Sequence, residues 1–223
     1  MLIGSLIFPR IDQMDFTGPF EVLSKIPDST VHVIAKDLAP VRDARGLVLT
    51  PTITIAAAPQ LDLLVVPGGH GQEQLMDDAE VLGFLRRQAA GARAVLSVCT
   101  GALLCGAAGL LKGVRATTHW NSFHLLEYFG AIPVDERVVI DGSFVSAAGV
   151  SSGIDGALRV VQLLCGDRQA QIIQLAMQYQ PEPPFPGGTP RTAAPEILAA
   201  CQTTVREITE ARLATAKRIS KRI

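Results

Sequence analysis

The sequence predicts a doubly wound α/β fold, a mostly parallel sheet with helices on both faces. Apolar runs alternate along the chain with helical patterns, the signature of repeated βαβ units. Two runs, Leu61-Asp62-Leu63-Leu64-Val65-Val66 and Arg93-Ala94-Val95-Leu96-Ser97, read as buried strands. Composition agrees: 48% of the 223 residues are hydrophobic and 18% charged, which supports a sizeable core and argues against disorder.

The elements follow in order. Residues 2–8 form a strand, and a helix begins near Pro19–Leu23 after the turn Thr17-Gly18-Pro19, with Thr17 as its N-cap. Val31–Ala35 is a second strand, and Leu47–Ile55 alternates as an antiparallel excursion around Pro51. The strand ending at Val66 runs into Pro67-Gly68-Gly69-His70-Gly71, followed by a helix from about Glu73 to Ala90. Short strands are expected near Ala116–Thr118 and Ile132, then a hairpin of Arg137–Ile140 and Phe144–Ser146 turning at Asp141-Gly142. Helices cover about Ile154–Leu164 and Asp167–Tyr179. An irregular Pro-rich arm spans residues 181–195, and a last helix runs from about 195 to 220. Its basic end (Lys217, Arg218, Lys221, Arg222) reads as a solvated helix C-terminus. No repeat and no linker divides the chain, so residues 1–223 are expected to form a single domain.

The bulk properties exclude several classes. A net charge of −1 and 5% aromatic residues give no footprint for nucleic acid or a membrane surface. No stretch approaches the ~20 apolar residues of a membrane span, and no secretory leader pattern precedes the first strand. Cys99, Cys105, Cys165 and Cys201 form no CxxC pair and no metal spacing, so free thiols in a reducing cytoplasm, without metal or cofactor, are expected. Cys165 and Cys201 read as small core residues, and Cys105 as unable to reach the position of Cys99.

The most informative segment is Val98-Cys99-Thr100-Gly101-Ala102-Leu103, where a buried strand turns into a helix with a cysteine at the bend. A nucleophile there projects above the carboxyl end of the sheet, beside a helix N-terminus whose N–H groups favour thiolate over thiol. The residues alone also allow an inert core cysteine. Asp15 follows the first strand and Gly68-Gly69 end another, so the three loops can meet at the carboxyl edge of an open sheet. A glycine pair permits close backbone approach, and the Gly69 and Thr100 N–H groups are candidates to stabilise developing negative charge. Asp15 otherwise reads as a turn residue or cap before Pro19.

Taken with Ala116-Thr117-Thr118-His119-Trp120 in the expected order, this combination resembles the ThiJ/PfpI superfamily over nearly the whole chain. The resemblance implies a flavodoxin-like fold, a reactive cysteine on a nucleophile elbow and an acidic partner. Many members place His directly after the cysteine, where this chain has Thr100. That threonine, the aspartate in Met14-Asp15-Phe16-Thr17-Gly18-Pro19, the ThrThrHisTrp stretch, Gly149–Asp155 and the Pro-rich arm are most similar to the isocyanide hydratases. The resemblance therefore implies hydration of an isocyanide to an N-formamide, with Cys99 as nucleophile, Asp15 as general acid and base, and Thr100 beside them. It also implies that Val150 lies beside the Cys99-bearing helix at the site, that His119 is not the catalytic base, and that the protein is a homodimer; His119 and Trp120 read as substrate-pocket residues with Val150, or as a structural histidine and plain core packing. The same elements occur in the ligand-binding half of AraC-type regulators, whose helix-turn-helix module is not read in this sequence. Two other readings use the same residues: a redox sensor built on Cys99, and a small-molecule-binding domain.

Overall fold

The computed structural model describes residues 1–222. Its centre is a seven-stranded sheet of β1 (Leu2–Leu6), β2 (Thr30–Ala35), β3 (Ile53–Thr54), β4 (Leu63–Val66), β5 (Ala94–Val98), β6 (Val138–Asp141) and β7 (Phe144–Ala147), in the spatial order β6-β7-β5-β4-β1-β2-β3. Every pairing is parallel except the β6–β7 hairpin, which turns at Gly142 with φ +57°. The chain moves outward from β1 to β2 and β3, then returns to lay β4 on the other side of β1. That reversal is a topological switch point, and it opens a crevice at the carboxyl ends of β1, β4 and β5.

Alternate residues of the central strands feed two cores. Leu64, Val66 and Val95 pack on the face covered by α3 (Ala79–Gly91), α4 (Gly101–Ala107), a 3₁₀ stretch (Trp120–Phe129) and α7 (Pro195–Ile219). Leu63, Val65, Leu96 and Val98 pack on the opposite face, against α1 (Gln13–Leu23), α5 (Ser152–Cys165) and α6 (Asp167–Ala176). Burial on both faces explains why these strands read as continuous apolar runs. Among the described residues, no helix is long and apolar enough to cross a membrane.

Several boundaries differ from expectation, each for a local reason. Helix α1 starts six residues before Pro19, because Asp12 caps it by accepting the Met14 N–H at 3.2 Å. Thr17 is thus inside the helix, and its hydroxyl donates to Gln13 Oε1. The expected helix over residues 73–90 is two: α2 (Gln72–Leu75) ends, and Asp78 caps α3 through the Glu80 and Val81 N–H groups. The excursion before Pro51 is a short antiparallel ladder of Val41–Arg42 with Val48–Leu49, whereas Ile53–Thr54 joins the main sheet in parallel. Arg115–Ala116 pairs with Ile132–Pro133 in a second small ladder. Cys165 and Cys201 are exposed, not core, because each lies on the outer side of its helix.

Candidate active site

Cys99 bridges β5 and α4 with φ +55°, the left-handed region that a residue with a Cβ rarely occupies. Such a conformation costs on the order of 1–3 kcal/mol and persists only where neighbours impose it. Here its N–H donates to the Ala147 carbonyl at 2.9 Å and its carbonyl accepts the Thr118 hydroxyl at 2.7 Å, so the bend is pinned from both sides.

The carboxyl facing it belongs to Asp15, fully buried in the first turn of α1. Oδ2 accepts the Gly68 N–H at 2.9 Å, whereas Oδ1 has no hydrogen-bond partner. Burial lifts the Asp15 pKa well above the usual carboxylate range, with Asp12 adding to the effect, while the Gly68 N–H, the Cys99 thiol and Arg212 oppose it. Burial also pushes the Cys99 thiol up, helped by any charge on Asp15, and is countered by Arg212 and the Thr100 N–H. A charge on Asp15 disfavours ionisation of Cys99, whereas the neutral Cys99 thiol beside the carboxyl favours ionisation of Asp15, so the two groups titrate together.

The glycines make this contact possible. A Cβ on Gly68 would lie 2.5 Å from both the nitrogen and the hydroxyl of Thr100. Gly69, at φ +121°, pairs with Ile11 in an isolated antiparallel bridge that ties the loop after β4 to the loop after β1. The Gly69 N–H does not face open space: it donates to Thr100 Oγ1 at 3.2 Å. Thr100 begins α4 without a side-chain cap bond, its hydroxyl being engaged by Gly69 instead. Thus the Gly68 and Gly69 amides serve Asp15 and Thr100 respectively, in place of an oxyanion pocket built from Gly69.

Sequence reasoning missed Arg212. It lies on α7 with Thr215, Ala216 and Ile219 on the buried face, an i, i+3, i+4, i+7 stripe that was the available signal. Its Nη2 donates to the Gly69 carbonyl at 2.7 Å and approaches Thr100 Oγ1 at 3.4 Å, while Nε has no partner. The basic residues beyond it behave as expected, Arg218 pairing with Asp77 at the surface.

His119, Trp120 and Val150 do converge, lining a cavity of about 410 Å³ with Met14, Thr118 and Phe123. Its outer wall is Gly188–Arg191 of the Pro-rich arm, held by an ion pair of Arg191 with Asp135. Met14 and Thr118 link this lining to the reactive pair, one as the neighbour of Asp15, the other through its bond to Cys99. His119 is kept neutral chiefly by burial, and its Nδ1 meets Asn121 Oδ1 at 2.8 Å. Its ring packs 5.5 Å from that of Trp120. His70 is exposed on the loop after the glycine pair. Among the described residues, no cluster of three His, Cys, Asp or Glu side chains is arranged to hold a metal ion.

Comparison with known proteins places this geometry. Residues 3–163 match the DJ-1/PfpI family. The chain is 51% identical over 196 residues to a Pseudomonas putida protein named isonitrile hydratase, covering 88% of this chain and 86% of that one. A ThiJ/PfpI family protein from Pseudomonas syringae superposes with a TM-score of 0.94 at 38% identity, covering 96% of this chain and 90% of the other. The HTH-type transcriptional regulator GbdR of Pseudomonas aeruginosa is 30% identical over 132 residues, which is 58% of this chain but 36% of the regulator. The sheet order, the strained cysteine after β5 and these matches agree: the chain belongs to the DJ-1/PfpI family.

Proposed function

We propose that this protein hydrates isocyanides, R–N≡C + H₂O → R–NH–CHO, through a covalent intermediate on Cys99 with Asp15 moving the protons. The observation that carries the reading is a fully buried carboxyl with one unpartnered oxygen facing a cysteine held at φ +55°. The 51% identity to the isonitrile hydratase over most of both chains supports the same reaction.

The chemistry asks for these groups. The terminal isocyanide carbon is attacked by a nucleophile and must also gain a proton, so the charge develops on carbon and a proton donor, not an oxyanion pocket, is required. The Cys99 thiolate forms the S–C bond while Asp15 gives its proton to the same carbon, leaving the thioimidate R–N=CH–S and an Asp15 carboxylate. That carboxylate then takes a proton from water as the hydroxyl adds to the carbon, and returns it to nitrogen. The resulting R–NH–CH(OH)–S adduct collapses: the hydroxyl proton passes to Asp15, the C=O forms and the sulfur leaves as thiolate. A carboxyl that is first acid and then base suits a pKa raised by burial. The Thr100 N–H steadies the sulfur, and its hydroxyl, fixed by Gly69, holds the turn. His119, Trp120 and Val150, with Met14 and Phe123, give the cavity an aromatic and apolar side for the R group, while Asp135, Glu136, Arg137 and Arg191 line the rest. The homodimer implied by the family resemblance belongs to this reading; Leu175 and Phe185, 81% and 78% exposed, offer apolar surface for it, and light scattering measures it.

The test is N-formamide production from cyclohexyl isocyanide or p-nitrophenyl isocyanide, with Cys99→Ala as control. Formamide from the wild type alone supports the reading. A folded protein with a reactive thiol and no formamide overturns it in favour of a sensor or binding domain, which peroxide oxidation of Cys99 or ligand titration then separates.

A further inference from the structure

We propose that Arg212 is a positioning residue that keeps the negative charge of the Cys99–Asp15 pair on sulfur, acting from α7 through the Gly69 carbonyl and the Thr100 hydroxyl. The inference rests on the hydratase reading for its use, while the charge assignment stands on the buried guanidinium's bonds to the Gly69 carbonyl and the Thr100 hydroxyl and on the charges around the sulfur.

Arg212 is a buried cation, 4% exposed, and among the described residues no carboxylate pairs with its guanidinium. A buried charge without a partner is strongly destabilising, so an anion near it is favoured. Its bonds place it beside the turn that carries the nucleophile: Thr100 follows Cys99, and Gly69 holds Thr100 Oγ1 through its own N–H. The anions that act on it are the Cys99 thiolate, Glu73 and Asp15. Glu73 on α2 already accepts the Thr215 hydroxyl at 2.6 Å. Of these anions Cys99 acts on the guanidinium most strongly, ahead of Glu73 and Asp15, so within the reactive pair the charge of Arg212 is directed first at the sulfur. Around the sulfur itself the charged groups are Asp15 and Asp12, both at the start of α1, and Arg212 on α7; His119, from the 3₁₀ stretch, stays neutral. Of these only Arg212 favours the thiolate by its charge, in concert with the Thr100 N–H at the start of α4. With the charge on sulfur the shared proton resides on Asp15, the state that addition to an isocyanide carbon requires.

The test follows the thiol, not turnover. The pH dependence of iodoacetamide alkylation is measured on the Cys99 peptide by mass spectrometry, which separates it from exposed Cys165 and Cys201. Arg212→Gln keeps a donor for the Gly69 carbonyl but removes the charge. It is expected to move the Cys99 midpoint up by about one pH unit, roughly a tenfold slower alkylation below the midpoint. Arg212→Lys, which keeps the charge, is expected to recover most of that loss. An unchanged midpoint in folded Arg212→Gln overturns the proposal, as do equal shifts in the two variants, which would assign the effect to lost bonds. Should the Gln variant not fold, the side-chain ¹⁵N resonance of Arg212 in the wild type is followed through the Cys99 titration: a matching midpoint supports the proposal and a flat response overturns it. A shifted profile in a protein that makes no formamide would keep this role and remove the substrate; formamide with an unchanged profile would do the reverse.

Discussion

Cys99 and Cys105 are six residues apart, both buried, on either side of the first turns of one helix. Cys105 sits inside α4 in regular helical backbone, packed in the apolar core, and burial alone drives its pKa far above the ordinary thiol range. Cys99 meets the same penalty, but a facing carboxyl, the Thr100 N–H and the Arg212 charge act on it as well. Its backbone is strained where that of Cys105 is relaxed. Burial by itself makes an inert thiol. A reagent requires that burial be combined with groups that choose where the proton rests.

Substitutions should sharpen that contrast. The largest effect is expected from Cys99→Gly, which removes the nucleophile and also the positive-φ penalty. Formamide production should fall by about 10³-fold or more, while relief of the positive φ offsets the lost buried side chain, so thermal denaturation should show a net change within about 1 kcal/mol. Asp15→Asn should cost about 10²–10⁴ in kcat with the fold intact; full activity would remove Asp15 from the mechanism. The sign of its stability effect is also fixed. The folded Asp15 pKa is raised, so the carboxyl favours folding below its unfolded pKa of ~3.9 and opposes it as pH rises toward the folded value. The Asn variant should therefore melt higher than the wild type at neutral pH, with the gap closing toward pH ~4. Thr100→Val, which strips the acceptor from the Gly69 N–H, should lower kcat by about tenfold. Trp120→Ala should raise KM for bulky isocyanides several-fold more than kcat falls, if the cavity wall holds the R group. The smallest effect belongs to Cys105→Ala: unchanged kcat, and a loss of about 1 kcal/mol for the sulfur-sized void in urea denaturation. A fall in kcat there comparable to that at Cys99 would break the comparison.

The strand-to-helix bend at Cys99 was legible because an apolar run ending in Cys-Thr-Gly has few structural meanings. The meeting of Asp15, Gly68-Gly69 and Cys99 followed from α/β topology, and the sheet order delivers it. Pro19 misled the reading of α1. A proline usually marks a helix start, yet Asp12 had already capped one, and the helix runs on through Pro19 with Asp15 in its first turn. Helix α3 was merged with α2 because the Asp77-Asp78 pair reads as a polar face before it reads as a cap. Arg212 carried a weak signal, its stripe with Thr215, Ala216 and Ile219, and was missed for a different reason. An arginine on an amphipathic helix is solvated by default, and only the fold shows that its stripe turns inward over a distance of 112 residues to Thr100. The arm was correctly read as irregular, but irregular chain carries no periodicity to say what it covers, so its place on the cavity wall had no signal.

The separation of Arg212 from Thr100 sets an order of assembly during translation. Asp15, the glycine pair and Cys99 leave the ribosome first and belong to a parallel sheet that needs β7 to hold the cysteine N–H. At ~5–20 residues per second, the 112 residues between Thr100 and Arg212 represent roughly 6–22 s of synthesis. Throughout that interval the Gly69 carbonyl and the Thr100 hydroxyl lack the guanidinium donor that the complete fold gives them. Docking of α7 then brings the Arg212 donor to the Gly69 carbonyl and the Thr100 hydroxyl, so the turn behind Cys99 is completed by the last helix to be made.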